Sequence, residues 1–136
     1  MNILFFLTPK EEVAHIMEFD NLREVLDKME HHGYTALPML NKQGKYIGTI
    51  TEGDLLWYLK EQDFPSLEEL EETSITVVPR HRDNKAVYVH EKVEDLLEKV
   101  TSQNFVPVVD DDKIFIGLVT RRDVLLHMAK KLELKK

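Results

Sequence analysis

The sequence predicts an α+β fold built from two copies of one β-α-β-β-α unit. Landmark residues recur without a gap: Pro38 and Pro107, Gly48 and Gly117, Thr51 and Thr120, and Asp54 and Asp123 each stand 69 positions apart. In both copies an apolar stretch of strand type, Tyr46-Ile47-Gly48-Thr49-Ile50 or Ile114-Phe115-Ile116-Gly117-Leu118-Val119, leads into Thr-x-x-Asp. An apolar helical pattern follows, Leu55-Leu56-x-x-Leu59 or Val124-Leu125-x-x-Met128, so the threonine sits where a helix begins. The 136 residues, 43% apolar and 32% charged, suffice for one globular unit in which two half-length repeats share a core.

The elements follow in order. Met1 to Leu7 is apolar but lacks a basic start and a small-residue cleavage pattern, and it is far shorter than a membrane span. It is expected to cover the core of the repeats and to end at Thr8-Pro9, since the residue before a proline avoids helix. Val13 to Met17 and Ala86 to Val89 read as first strands. Asn21 with Glu24 forms a reciprocal helix cap, Leu22, Val25, Leu26 and Met29 share one helical face, and Gly33 suits the left-handed turn past its end. Val93, Leu96, Leu97 and Val100 give the second repeat its equivalent helix.

Tyr34 to Leu40 and Asn104 to Val109 are short strands with an internal proline, which removes a ladder donor. They are expected to begin pairing after that proline or to lie at an edge. Asn41-Lys42-Gln43-Gly44 and Asp110-Asp111-Asp112-Lys113 are hairpin turns. Pro65-Ser66-Leu67-Glu68-Glu69 opens a capped acidic helix that runs to about Thr73, and Ile75 to Pro79 reads as extended. The last helix continues through Lys130 to Lys136, with cations where the helix dipole favours them. The resulting division is residues 1–12 as an N-terminal extension, 13–62 as the first repeat, 63–85 as an acidic linker, 86–128 as the second repeat and 129–136 as a helical tail.

Composition narrows the function. The chain has no cysteine, which excludes disulfides, thiolate metal sites and thiol catalysis and fits a cytoplasmic protein. A formal net charge of -7 argues against nucleic acid as the main partner. His31-His32 point in different directions on a helix, and Asp110 to Asp112 lack the spaced ligands of a calcium loop, so no metal site is expected. With no activated nucleophile, P-loop or paired acid and base, the chain is not expected to be an enzyme.

Two repeats, each with a Leu-Pro-Met or Val-Pro-Val strand (Leu37-Pro38-Met39, Val106-Pro107-Val108) and a Gly-h-h-Thr-x-x-Asp strand end, resemble a tandem pair of CBS domains, a Bateman module. The match runs from about Val13 to Met128. The resemblance implies two pseudo-twofold-related repeats whose small sheets pack together with helices outside. It also implies two clefts for adenosine-containing ligands, assembly into a homodimer, and a regulatory role exerted on a protein partner not identified by the sequence. No cofactor beyond a regulatory adenine nucleotide such as AMP, ADP, ATP or cyclic di-AMP is implied.

The motif residues can serve such a ligand or merely cap helices. A threonine at a helix start can give its hydroxyl to a phosphate beside the free amides of the first turn. The aspartate one turn on then takes the role the resemblance assigns it, accepting from both ribose hydroxyls. The bland alternative is that Thr51 with Asp54 and Thr120 with Asp123 are capping boxes and no more. Arg121 and Arg122 add cationic donors where the first repeat has Glu52 and Gly53, so the second cleft should dominate.

Thr120-Arg121-Arg122, with Val13-Ala14-His15 and Tyr34-Thr35-Ala36-Leu37-Pro38, is also similar to the branch of CBS pairs that binds cyclic di-AMP. That similarity implies a composite site using Ala14, Thr35 and Ala36 together with Arg121 and Arg122, although Glu12 stands where a basic residue would suit a phosphate better. Candidates for an apolar base slot are Ala14, Ile16, Tyr34, Ala36, Val87, Phe105 and Val106, with Tyr34 and Phe105 as stacking rings. Arg80-His81-Arg82 reads as a solvated basic loop able to reach a phosphate. A ligand-independent dimerisation scaffold is the rival reading.

Overall fold

The computed structural model describes residues 2–134, the side chain of Leu134 excepted. The expected cations Lys135 and Lys136 lie outside the described residues. The elements are β1 (Thr8–Pro9), β2 (Ile16–Met17), α1 (Leu22–His32), β3 (Ala36–Leu40), β4 (Tyr46–Thr51), α2 (Glu52–Glu61), α3 (Leu67–Glu71), β5 (Val87–Tyr88), α4 (Val93–Val100), β6 (Phe105–Val109), β7 (Phe115–Thr120) and α5 (Arg121–Leu134). The chain is α+β, as its repeats require.

It forms two compact units, and their boundaries cross the repeats. Residues from Ala14 to Asp83 make one unit, whereas the N-terminal residues up to Val13 pack with the chain from Asn84 onward. The stretch before each repeat thus belongs with the other repeat.

In the unit of Ala14–Asp83 the sheet order is β2-β3-β4, with β2 parallel and β4 antiparallel to β3. Ile16, Leu22, Val25, Leu37, Met39, Ile50, Leu55 and Ile75 form its core. Each such side chain taken fully from water contributes roughly 1.5–3 kcal/mol. Asn21 and Glu24 make the expected reciprocal cap, and Gly33 ends α1 at φ 65°. Ser66 caps α3, and Leu70 on that acidic helix is buried in the same core rather than solvated.

The second unit has the order β1-β7-β6-β5. Its core of Val87, Leu96, Val106, Val108 and Val119 is completed by Ile3 and Phe6, so the N-terminal segment does cover a repeat, the second. Leu4 and Phe5 stay exposed.

Each unit has its own core in place of the single shared one expected, and two further expectations need correction. The first strands are shorter than Val13–Met17 and Ala86–Val89, and the prolines explain why. β3 and β6 are inner strands, not edges: antiparallel pairing runs through Pro38↔Thr49 and Pro107↔Leu118. Parallel pairing to β2 and β5 begins only at Met39 and Val108, one residue past each proline, which leaves two paired residues per first strand. The second correction concerns Ile75 to Pro79: Ile75–Val77 is a 3-10 turn, because the Ser74 side chain accepts from the Thr76 amide and caps it.

Both hairpins repeat one device. Asn41 Oδ1 accepts from the amides of Gln43 and Lys45, and Asp110 Oδ1 from those of Asp112 and Ile114. The left-handed position in each turn is Gly44 at φ 84° and Lys113 at φ 67°.

Candidate functional site

Each Thr-x-x-Asp motif stands at the junction of a strand with a helix, held by the same backbone bond. The first helical amide donates to the carbonyl just before the inner strand: Glu52 N to Thr35 O at 2.9 Å, and Arg121 N to Asn104 O at 2.8 Å. The third is taken by the motif threonine, Asp54 N to Thr51 Oγ1 at 3.1 Å and Asp123 N to Thr120 Oγ1 at 3.0 Å. Two of the first-turn amides expected to face an anion are therefore already engaged. Since a hydroxyl accepts and donates at once, the proton of Thr120 stays available for a phosphate oxygen.

The carboxylates differ. In the first repeat, Asp54 Oδ2 accepts from Thr51 N at 3.0 Å, closing the capping box, while Oδ1 lies 2.7 Å from His81 Nδ1. Asp54 is 3% exposed. In the second repeat Asp123 is exposed, and its carboxylate has no hydrogen bond or ion pair among the described residues. Both of its oxygens are open to a donor pair such as a vicinal diol.

The arginines divide their work. Arg121 is half-buried, and its Nε donates to Val100 O at 2.7 Å, the last residue of α4, so it ties two helices together as well as offering its Nη groups. Arg122 is exposed and has no ion pair among the described residues. In a chain of net charge -7, this exposed guanidinium stands one residue from the open aspartate and two from the Thr120 hydroxyl, where it can donate to an anion.

The remaining candidates fall into two groups. Phe105 pairs with Thr120 across β6 and β7, and Ala36 pairs with Thr51 across β3 and β4, so each lies beside its motif. Thr35 is exposed next to Ala36, and Ala14 is half-buried against the first core. Ile16, Val87 and Val106 are fully buried core side chains, which leaves them only backbone groups to offer a ligand. Tyr34 already stacks on His32, with centroids 5.4 Å apart, and lines an open apolar groove of about 820 Å³ with Leu26, Met29, Leu55, Leu56 and Leu59.

Sequence reasoning missed the segment after Pro79. Arg80-His81-Arg82 is not simply a solvated loop: Arg80 Nε pairs with Asp83 at 2.9 Å and Arg80 Nη2 donates to Ile47 O at 3.2 Å, while Asp83 accepts from Thr49 N at 2.9 Å. Pro9 and Pro79 stand 70 positions apart, which was the signal that these flanks are equivalent.

This duplicated strand-to-helix unit places the chain in a known class. Residues 7–61 and 76–130 each match the CBS domain, and the chain belongs to that family. Among curated proteins it is similar to Cyclic di-AMP receptor B of Bacillus subtilis, 28% identical over 130 residues that span 92% of this chain and 84% of the relative. It is also 30% identical over 102 residues to an uncharacterized protein of Methanopyrus kandleri, spanning 75% of this chain and 50% of the longer relative. Among solved structures, the CbpB protein of Listeria monocytogenes in complex with c-di-AMP superposes with a TM-score of 0.83 at 26% identity, covering 97% of this chain and 98% of that one. No described helix is long and apolar enough to cross a membrane.

Proposed function

We propose that this chain is a regulatory sensor that binds an adenine nucleotide through Thr120, Arg121, Arg122 and Asp123 and signals its occupancy to a protein partner. The carrying observation is the open Asp123 carboxylate beside an unpaired Arg122, set against a first repeat whose aspartate is closed. Cyclic di-AMP is the leading ligand, supported by the name of the Bacillus subtilis relative and by the ligand in the Listeria monocytogenes complex. Ala14, Thr35 and Ala36 are carried as further contacts on the resemblance to that branch, and Phe105, beside Thr120 across β6 and β7, as a stacking ring. The chain acts in the cytoplasm and is not an enzyme.

It works as a homodimer. Leu56 and Trp57 on α2 and Leu125 and Leu126 on α5 occupy equivalent repeat positions, and all four are exposed. Apolar faces repeated in this way favour burial against a second copy. That observation alone also suits the rival, a ligand-independent scaffold. Nucleotide-stripped protein with AMP, ADP, ATP, S-adenosylmethionine and cyclic di-AMP separates the two. A ligand at 100 times its Kd should add about 2.7 kcal/mol to stability, read as a thermal shift; no shift with any of the five supports the scaffold.

A further inference from the structure

The first repeat carries the same Thr-x-x-Asp as the second, yet part of the chain itself occupies it. A carboxylate only accepts hydrogen bonds, so in the 2.7 Å contact with Asp54 Oδ1 it is His81 Nδ1 that donates. His81 is presented by the strap Arg80–Asp83, which lies along the outer edge of β4. There Asp83 accepts from Thr49 N and Arg80 donates to Ile47 O, so two side chains supply what a neighbouring strand would supply to an edge. The seat requires Gly48, because a Cβ at that position would stand 2.5 Å from Asp83 Oδ1 and closer still to Arg80 Nε.

The other unit covers the equivalent edge differently. Backbone does the work there: β1 pairs with β7 through Thr8↔Leu118 and Pro9↔Gly117. Counting from the prolines, Glu11 holds the place that His81 holds after Pro79. A second carboxylate has no proton to donate to Asp123. Among the differences between the two flanks, histidine against glutamate accompanies one closed motif and one open one.

We propose that His81 is a stopper built into the chain: it holds Asp54 and restricts the protein to one adenine-nucleotide site, and removing its side chain makes the first motif competent. This rests on the reading of Thr-x-x-Asp as the nucleotide-binding feature. The His81 side chain is 63% exposed, so truncating it opens no core cavity.

The test is calorimetric titration of AMP into nucleotide-stripped wild type, His81→Ala, Asp123→Ala and the double variant. The stopper predicts one equivalent per chain for wild type, two for His81→Ala, none that saturates over the wild-type concentration range for Asp123→Ala and one for the double variant, with at least a tenfold gain in affinity at the first motif. His81→Asn keeps a donor at the position of Nδ1 and should stay at one equivalent; two equivalents there contradict the stopper. Asp83→Ala, which frees the strap from Thr49, should act in the direction of His81→Ala. Two equivalents in wild type, one in both wild type and His81→Ala, or no AMP bound by any variant overturns the proposal. Binding by His81→Ala with none by wild type leaves the stopper standing and defeats the assignment to Asp123.

Discussion

Thr51-x-x-Asp54 and Thr120-x-x-Asp123 both stand at helix starts, receive the same backbone bond and occupy the same register, yet one aspartate is buried with both carboxylate oxygens engaged while the other is exposed with its carboxylate unengaged. Two things differ: the residues inside the motif, Glu52-Gly53 against Arg121-Arg122, and the stretch of chain laid against the neighbouring strand. A duplicated module can thus differ between its halves in the flanks and in the residues between the repeated threonine and aspartate. The pair also shows that a motif match specifies a helix start, and that a residue distant in sequence can engage the motif's carboxylate.

The comparison can be broken most strongly at the glycines. Gly117→Ala should cost about 3 kcal/mol, because its φ of 154° disfavours a side chain and the added Cβ would collide with the backbone carbonyl of Thr8. Gly48→Ala displaces only the side chains of Arg80 and Asp83 and should cost about 1 kcal/mol. Chemical denaturation of both variants reads the difference; equal losses would mean that the two edges are covered alike.

The aspartates should fail in opposite assays. Asp123→Ala should weaken nucleotide binding roughly 10- to 100-fold with little change in stability, the loss expected for hydrogen bonds to a charged acceptor. Asp54→Ala should remove about 1–2 kcal/mol of stability through its lost cap and leave wild-type binding nearly intact. Paired titration and unfolding experiments check this, and a weaker complex from Asp54→Ala would show that the first motif is used.

Within the second motif the arginines should separate as well. Arg121→Ala should cost roughly 1 kcal/mol of stability through the lost bond to Val100 O, whereas Arg122→Ala should leave the melting curve unmoved and weaken binding about tenfold. The smallest effect is at the hairpin: Lys113→Gly should gain up to about 0.5–1 kcal/mol, since Lys113 holds a left-handed conformation that Gly44 adopts freely in the first repeat.

The sequence made the duplication legible because glycine, proline, threonine and aspartate perform tasks few other residues can, and here they recur at one spacing. Helix α1 was legible from Asn21, Glu24 and Gly33 for the same reason. The first strands were overread because their length is fixed by a partner: Met39 and Val108 are the first positions past each proline. Apolar, β-branched residues at Ile75 to Val77 suggested a strand, but the Ser74 cap prevailed locally. In the site, Asp54 and Asp123 are equivalent in sequence, while their partners differ: Asp54 closes a cap on Thr51 N and meets His81, 27 residues away in a basic loop.

The most direct test is to titrate cyclic di-AMP into nucleotide-stripped wild type and into Asp123→Ala. Saturable heat from wild type, weakened at least tenfold in the variant while its melting curve is preserved, is the expected result. Equal affinity for both proteins would contradict the assignment of the ligand to the open aspartate of the second repeat.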